Sequence, residues 1–345
     1  MAVSLIWPVR RLPSLFLLAW MTACATPVTQ GALPFEARGT PMPALLDDEE
    51  AMIAHDGARL GLTVWQPDGD APVRHVIVGI HGMNNYAGEF RLAAPVWASE
   101  GRVVYAYDQR GFGRSVGRGL WPDEELMRQD LRTAVSLARA RHPEATLSVV
   151  AISMGSAVAI TAFASDDPPD ADRLILSGPG LRGWGVLNPA FAASLRLSTR
   201  LRPGGIVRTP GFAQPKMTDN EAFLTLQEAD PLHTRENRVD QLYGVVTLME
   251  HAHQVVDRLP PGLPVLASYG ARDEVIPPAG PQRTAQRLPP HVRTVYYPEG
   301  YHVLLSDLQR GRVIADYSAF MDDPEAALPS GLGEWPFRQA FPQQG

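Results

Sequence analysis

The strongest constraint on the fold is an alternation of short apolar segments with helical ones, which begins near Asp56 and continues to about residue 325. Residues 75–80 (HVIVGI) and 147–152 (LSVVAI) are continuously apolar, as is typical of strands buried on both faces of a sheet. Residues 123–141 follow a proline and carry leucine, valine and alanine at helical spacing. Repeated strand–helix units predict an α/β fold with a mostly parallel central sheet and helices on both faces.

The predicted strands are residues 59–66, 75–80, 103–107, 147–152, 173–176, 264–269 and 294–297, and the predicted helices are 89–100, 123–141, 154–165, 282–288 and 305–320. Residues 181–258 break the alternation, with helical patterns at 189–201 and 239–256 between turns rich in proline and glycine. Because α/β sheets bind ligands at the carboxyl ends of their strands, we interpret residues 181–258 as a helical lid over that end. The core is then residues 47–180 and 259–325, followed by a C-terminal tail at 326–345.

Two serines compete for the role of nucleophile. Ser115 lies in a perfect Gly-x-Ser-x-Gly match, residues 113–117, but far past the preceding strand and before a glycine-rich segment that cannot be a helix. Ser153 lies in Ala-Ile-Ser-Met-Gly, residues 151–155, directly between a buried strand and a helix of small residues. A nucleophile elbow needs a strand leading into the turn and a helix leading out of it, which favours Ser153. Taken alone, Ser153 is equally consistent with a helix N-cap.

A serine nucleophile needs a base, which in this fold follows it along the chain, and a carboxylate that orients the base. His302 follows the last predicted strand at its carboxyl end, whereas the other histidines after Ser153 lie in the lid or at the opposite end of the sheet. The carboxylate is expected after the strand at 264–269, where Asp273 is favoured and Glu274 is the reserve. Ser153, Asp273 and His302 are thus the predicted catalytic triad.

The negative oxygen of a tetrahedral intermediate needs backbone donors that are fixed before the reaction. One is expected to be the N–H of Met154, at the start of the helix that follows the serine. The other is expected in the loop after the strand at 75–80, where Gly82 permits a sharp turn and Met83 supplies the N–H. His81 precedes the serine in the chain and is interpreted as a structural hydrogen-bonding residue of that turn.

These segments resemble the monoacylglycerol lipase and lysophospholipase branch of the α/β-hydrolases, which is also labelled serine aminopeptidase-like. The matching segments are His81-Gly82-Met83, Asp108-Gln109-Arg110-Gly111-Phe112-Gly113-Arg114-Ser115, Ser153-Met154-Gly155, Gly270-Ala271-Arg272-Asp273 and Glu299-Gly300-Tyr301-His302. They fall within about residues 55–178 and 260–320, and the lid matches only loosely. The resemblance implies the same triad and the same two oxyanion donors. Ala151 departs from the glycine usual in the family, and the segment that ends at Ser115 is a recurrent turn there.

The resemblance implies a serine carboxylic-ester hydrolase that works through an acyl-enzyme on a monoacylglycerol- or lysophospholipid-like lipid. Acyl transfer to an alcohol other than water is an alternative. So is release of an N-terminal amino acid, for which Glu221, Glu228 or Glu250 of the lid could bind the substrate amine. A third hypothesis is a hydrolase fold retained as a non-catalytic binding module, because a fold does not determine a function.

Composition excludes several other classes. The 31 basic and 37 acidic residues are spread along the chain, with a net charge of −6, so nothing indicates a nucleic-acid partner. The one cysteine, Cys24, allows neither an intrachain disulfide nor a cysteine-rich metal site. The one lysine, Lys216, does not follow a glycine-rich run, which argues against a Walker A loop. His251 and His253 are predicted to point to different helix faces, so no metal or cofactor is expected.

The N-terminus has the pattern of an export signal. Arg10 and Arg11 precede an apolar run at residues 12–23, which is too short to span a bilayer. Residues 21–24 (MTAC) resemble the bacterial lipobox, with methionine in place of leucine. This pattern predicts that Cys24 becomes the lipidated first residue of the mature protein, and that its acyl chains anchor it to a membrane.

Residues 1–24 are therefore predicted to be a signal peptide with a lipobox-like end. The exported protein would be a membrane-anchored lipoprotein of a bacterial cell envelope, with the periplasmic side favoured. An ordinary signal peptide cut near Ala25 is the alternative. Residues 25–46 are rich in proline, threonine, glycine and alanine and are predicted to be a linker between anchor and core.

Overall fold

The computed structural model describes residues 25–33, 43–46, 50–69, 72–208 and 215–339, so the predicted signal peptide and Cys24 lie outside the described residues. The strands are β1 (Thr29–Gln30), β2 (Ala44–Leu46), β3 (Ala51–Ile53), β4 (Arg59–Trp65), β5 (His75–Ile80), β6 (Arg102–Tyr107), β7 (Trp121–Pro122), β8 (Thr146–Ile152), β9 (Arg173–Ser177), β10 (Ile206–Val207), β11 (Asn237–Arg238), β12 (Val265–Gly270) and β13 (Val292–Tyr297). The α-helices are α1 (Ala94–Ser99), α2 (Glu124–Arg141), α3 (Met154–Phe163), α4 (Pro189–Leu201), α5 (Glu221–Ala229), α6 (Val239–Val255), α7 (Ala279–Ala285), α8 (Arg310–Asp322) and α9 (Pro336–Gln339).

Nine of these strands form one sheet, in the order β13-β12-β9-β8-β5-β6-β4-β3-β2. Neighbouring strands are parallel from β13 to β6 and antiparallel from β6 to β2. Every strand predicted from the sequence belongs to this sheet. The prediction of an α/β fold with a mostly parallel central sheet is confirmed.

The residues of β5 show why the buried strands are continuously apolar. Val76, Val78 and Ile80 pack into one hydrophobic cluster together with side chains of α2 and α3. Ile77, between them, packs into a second cluster with side chains of α1 and α8. Successive strand residues point to opposite faces, so a strand covered by helices on both sides must be apolar at every position.

Three predicted helices differ from those observed, and the one predicted at 282–288 lies three residues earlier, at Ala279–Ala285. In place of the helix predicted at 89–100, the structure has a 3₁₀ turn at Ala87–Phe90 and then α1. Pro95 lies in the first turn of α1 and has no N–H with which to continue a preceding helix. The helix predicted at 305–320 begins only at Arg310, after a loop in which Asp307 accepts the Tyr301 N–H at 2.8 Å.

The segment that interrupts the alternation contains α4, α5 and α6, and α6 packs against α3 and α4. The sequence did not predict α5. This helix buries only Phe223 and Gln227, so its apolar periodicity is weak. Asn220 begins it by accepting the Phe223 N–H at 3.2 Å. None of the helices in the described ranges is long and apolar enough to cross a membrane.

Residues 25–33, predicted to be part of a linker, lie against the folded protein. The Ala25 N–H donates to the Arg200 carbonyl at 2.8 Å, and the Leu33 N–H donates to the Asp56 carboxylate at 3.0 Å. Between them, β1 pairs in parallel with β7, and further along the chain β2 pairs with β3. The linker prediction was wrong for these residues, because strands of 2 and 3 residues are too short to show an alternation.

The described part of the C-terminal tail also packs onto the core. Trp335 is fully buried, and its indole N–H donates to the Val295 carbonyl at 3.1 Å. Its ring lies edge-on to Tyr269, with ring centroids 6.0 Å apart. Phe337 packs against the same tyrosine, whereas Phe341 lies outside the described residues. The tail therefore covers the end of the sheet formed by β12 and β13.

A buried ion triad lies beneath the turn that follows β6. The Arg110 guanidinium is fully buried between the carboxylates of Asp56 and Asp130. It donates two hydrogen bonds to each of them, at 2.6 and 2.8 Å in both cases. The triad joins the turn to α2 and to the loop before β4.

Replacing Arg110 with methionine is expected to lower the free energy of unfolding by about 3–5 kcal/mol, because it leaves two buried carboxylates without the cation that neutralises them. Urea or thermal unfolding measures the change. The control is Arg287→Met, which removes an exposed ion pair with Asp257 and should cost less than about 1 kcal/mol. Equal stabilities of the two variants would contradict the assignment of the triad as a structural element.

Candidate active site

Ser153 alone forms the turn between β8 and α3, since β8 ends at Ile152 and α3 begins at Met154. Its φ of 51° and ψ of −115° are a strained combination for a residue with a side chain. The turn also requires Gly155, because a Cβ atom there would lie 2.5 Å from the Ile80 carbonyl oxygen. Helix and strand thus approach so closely that the serine is forced into a sharp bend, as a nucleophile elbow requires.

His302 and Asp273 reach Ser153 from the loops that follow β13 and β12. The distance from Ser153 Oγ to His302 Nε2 is 2.8 Å, and that from His302 Nδ1 to Asp273 Oδ2 is 2.7 Å. Because the carboxylate can only accept, Nδ1 carries the proton and Nε2 is free to accept the serine O–H. The other Asp273 oxygen accepts the N–H groups of Val275 and Ile276, at 2.9 and 2.8 Å, which hold the carboxylate in place.

The two rejected alternatives have structural contacts elsewhere. Glu274 accepts the backbone N–H of Lys216 at 2.9 Å and takes no part in the Ser153–His302 hydrogen-bond chain. Ser115 is buried in the turn after β6, where its Oγ accepts the Gly61 N–H at 2.9 Å and donates to the Asp108 carbonyl. The perfect sequence match at residues 113–117 is therefore part of a turn.

The surroundings of His302 raise its pKa. Burial by itself lowers the pKa of His302, but the Asp273 carboxylate that it hydrogen-bonds, together with Glu89 and Asp307, raises the pKa above the ordinary value of 6.5. A raised pKa makes Nε2 a stronger base toward the Ser153 hydroxyl and stabilises the imidazolium that proton transfer produces.

We expect kcat/KM for an ester to fall with decreasing pH along an acid limb whose midpoint lies above 6.5. The sign follows from the chemistry, because His302 can accept the Ser153 proton only while Nε2 is unprotonated. A pH profile of kcat/KM measures this midpoint in the free enzyme. Circular dichroism at each pH serves as the control for unfolding. A midpoint below 6.5 would contradict the assignment.

The loop after β5 lies directly beside the serine. A Cβ atom on Gly82 would lie 3.1 Å from the Ser153 Cβ. The next residue, Met83, presents its backbone N–H in this loop, and Met154 presents its own at the start of α3. Among the residues that the structure describes, neither amide donates a hydrogen bond to another protein group. Met154 directly follows the nucleophile, and Met83 directly follows Gly82, which lies beside it.

His81 holds this loop from one side. Its Nδ1–H donates to the Gly82 carbonyl at 2.7 Å, and its Nε2 accepts the Gln109 N–H at 2.8 Å. Burial lowers the pKa of His81 to about 4, so the ring is neutral near neutral pH. These contacts are those of a structural residue, which is the role interpreted from the sequence.

Sequence reasoning missed Glu89. This side chain is only 4% exposed, and it accepts the Gly82 N–H at 2.6 Å. In the sequence it stands at the start of a predicted helix, where an acidic residue is ordinarily exposed and favours the helix dipole. The one available signal of a polar site was the polar pair Asn84 and Asn85, which shortly precedes Glu89 in the sequence.

The two histidines that were considered as metal ligands, His251 and His253, contact other protein groups. His251 contacts Glu124 at 2.6 Å, whereas His253 contacts Thr284 at 3.0 Å, so the two rings do not converge. Within the described ranges, no group of three or more His, Cys, Asp or Glu side chains is arranged to hold a metal ion.

Of the lid acids considered for an aminopeptidase, Glu250 pairs with Arg283 at 2.9 Å and accepts the Gly185 N–H at 3.0 Å. The other two, Glu221 and Glu228, are exposed. An acid that binds a substrate amine must be unpaired and must face the nucleophile. Its pairing with Arg283 therefore disfavours Glu250 in that role.

Comparison with known proteins finds relatives of this chain among lipases. Over 276 residues the chain is 26% identical to a monoacylglycerol lipase of Mycolicibacterium smegmatis, a match that covers 79% of this chain and 96% of that protein. It is also 26% identical over 278 residues to a monoglyceride lipase of Rattus norvegicus, covering 79% and 88% of the two chains.

Among solved structures, a soluble variant of the Saccharomyces cerevisiae monoglyceride lipase, in complex with a substrate analogue, is similar in fold. Its TM-score is 0.65 at 20% identity, and the match covers 83% of this chain and 96% of that chain. The monoacylglycerol lipase of Paleococcus ferrophilus has a TM-score of 0.61 at 21% identity, with 76% and 97% covered.

The family model described as serine aminopeptidase, S33, matches residues 71–309, well over half of the chain. The resemblance inferred from the sequence is therefore confirmed. The chain belongs to the serine aminopeptidase S33 family of α/β-hydrolases and is a serine hydrolase.

Proposed function

We propose that this protein hydrolyses esters of single-chain lipids, such as monoacylglycerols or lysophospholipids, through an acyl-enzyme on Ser153. The observation that carries the proposal is the hydrogen-bonded chain from Ser153 through His302 to Asp273, at the carboxyl ends of parallel strands. In this arrangement His302 can remove the serine proton, while the Asp273 carboxylate stabilises the imidazolium that results.

The proposed reaction has two halves. His302 Nε2 takes the proton of the Ser153 hydroxyl as Oγ attacks the ester carbonyl carbon, and the same proton then passes to the leaving alcohol. Water next attacks the acyl-enzyme, again with His302 as the base, and the carboxylic acid leaves as the Ser153 hydroxyl re-forms. The Met83 and Met154 N–H groups would bind the oxyanion in both halves, and each is worth roughly 3–4 kcal/mol.

Two features support a lipid as the acyl donor. Helix α4 of the lid exposes large apolar side chains, with Phe191 52%, Leu197 58% and Leu201 58% exposed. Exposed apolar patches of this kind are typical of surfaces that contact lipids or other partners. The curated relatives named above are a monoacylglycerol lipase and a monoglyceride lipase.

Labelling with a fluorophosphonate probe tests the catalytic claim, with Ser153→Ala as the control. Absence of label on the wild-type protein would leave the binding-module hypothesis.

Profiling of p-nitrophenyl esters from two to sixteen carbons, beside monoacylglycerols, lysophospholipids and an aminoacyl p-nitroanilide, tests the substrate class. We expect kcat/KM to increase with chain length and the anilide to react poorly. Preferred cleavage of the anilide would instead support an aminopeptidase, and ester formation with an added alcohol would support an acyltransferase.

We further infer that the mature protein begins at Cys24 and is held at a membrane of the bacterial cell envelope by acyl chains on this residue. The lipobox-like residues 21–24 and the absence of any other cysteine support the inference. So does the course of the next residues, since Ala25 bonds to the C-terminal turn of α4, the helix with the exposed apolar side chains. Metabolic labelling with an alkyne fatty acid should mark the wild-type protein and not Cys24→Ser. Labelling of both would contradict the inference.

A further inference from the structure

Glu89 is a buried carboxylate behind the loop that carries the proposed oxyanion donor. Its Oε2 accepts the Gly82 N–H at 2.6 Å, and the Asn85 side chain also hydrogen-bonds it. If a Cβ atom were placed on Gly82, it would lie 3.1 Å from the Ser153 Cβ and 3.5 Å from Glu89 Oε2. Gly82 therefore lies against both the nucleophile and this carboxylate.

Both backbone groups of Gly82 are thus held by buried side chains. Glu89 accepts its N–H, and His81 Nδ1–H donates to its carbonyl oxygen at 2.7 Å. The peptide bond between Gly82 and Met83 is planar and trans, so the Met83 N–H must point opposite to the Gly82 carbonyl. Fixing Gly82 on both sides therefore fixes the direction of the Met83 N–H.

The carboxylate also interacts electrostatically with His302. The negative charges near His302 come from Asp273, Glu89 and Asp307, and Arg91 is the nearby cation that acts on Glu89. Burial raises the pKa of Glu89, while the hydrogen bond from Gly82, the charge of His302 and the hydrogen bond from Asn85 oppose this rise. An ionised Glu89 and a protonated His302 would stabilise each other, which is the charge state formed when Ser153 attacks.

We propose that Glu89 is a positioning residue of the active site: it aims the Met83 N–H at the oxyanion through Gly82, and its charge stabilises the His302 imidazolium. The inference rests on the proposed function and adds a residue to its machinery. It predicts two separable effects, one of hydrogen-bond geometry and one of charge.

Two substitutions separate these effects. Glu89→Gln keeps an oxygen that can accept the Gly82 N–H but removes the charge. Its acid limb of kcat/KM should move to lower pH by about one unit, since loss of a nearby negative charge lowers the pKa of His302. Glu89→Ala removes both, and its kcat should fall about 10²-fold, as for loss of one oxyanion donor, with KM changed less than about threefold. Glu144→Gln, at an exposed carboxylate, is the control for charge alone.

Binding of an alkyl boronic acid, which forms a tetrahedral adduct with the serine, provides a second measurement. If Glu89 only stabilised the fold, its loss would not weaken boronate binding selectively. The affinity for the boronic acid should fall in parallel with kcat/KM in Glu89→Ala, while KM for the ester stays nearly constant. If the acid limb of kcat/KM has the same midpoint in Glu89→Gln as in the wild type, the charge effect is overturned. This pH profile can still be measured if Glu89→Ala fails to fold. Unchanged boronate affinity in a folded Glu89→Ala would overturn the positioning effect. Wild-type protein without fluorophosphonate labelling or esterase activity would instead sink the proposed function itself.

Discussion

Replacing Ser153 with alanine is expected to lower kcat/KM for any ester substrate by about 10⁶-fold and to abolish fluorophosphonate labelling. The reason is that no other hydroxyl is hydrogen-bonded to His302 Nε2 within the described residues. The substitution removes one buried oxygen and keeps the Cβ, so the free energy of unfolding should change little. Steady-state hydrolysis of a p-nitrophenyl ester, with protein purified free of host esterases, measures the loss.

The matched control is Ser115→Ala, which alters the serine of the perfect Gly-x-Ser-x-Gly match. It should retain kcat/KM within about twofold while losing about 1–3 kcal/mol of stability, because the buried Gly61 N–H and Asp108 carbonyl lose their partner. The opposite pattern, with an inactive Ser115→Ala and an active Ser153→Ala, would transfer the nucleophile to the turn after β6.

Asp273→Asn is expected to lower kcat by about 10⁴-fold with little change in KM. The asparagine amide would donate to His302 Nδ1, which must then carry the lone pair, and Nε2 would hold the proton instead of accepting one from Ser153. Single-turnover acylation by a p-nitrophenyl ester isolates this step from substrate binding.

Glu274→Gln is the control for the Asp273 prediction. Glu274 accepts only the Lys216 N–H among the contacts seen for it, and a glutamine oxygen can accept the same bond. We expect this variant to acylate at the wild-type rate. A loss of activity in Glu274→Gln comparable to that in Asp273→Asn would show that the carboxylate was wrongly assigned.

The sequence predicted the parts of the site that depend on chain order and strand ends. Ser153 could be chosen over Ser115 because only Ser153 joins a buried strand directly to a helix. Asp273 and His302 follow two strands that lie side by side, and parallel strands bring their carboxyl ends to one edge of the sheet. Each residue could be recognised from the strand that directly precedes it, and the parallel sheet then brings these strand ends close together.

The features that escaped prediction depend on contacts between distant segments. Glu89 accepts the Gly82 N–H in the folded loop, and its sequence neighbourhood offers only Asn84 and Asn85 as a signal of this contact. Helix α5 buries too few side chains to show a period. The β1 and β2 strands are shorter than one alternation, and their positions are set by their partners β7 and β3.

The course of residues 25–33 has a mechanical consequence. The Ala25 and Val28 N–H groups bond to Arg200 and Asp240 of the lid, at 2.8 and 3.3 Å, while the Leu33 N–H bonds to Asp56 of the core. A force applied to the N-terminal end of this segment would therefore act first on α4 and α6. Any outward swing of these helices must either break those bonds or drag the segment along. A shortened form of the protein that starts beyond residue 33 would lack these hydrogen bonds, so the freedom of α4 and α6 to move should depend on where the chain is cut.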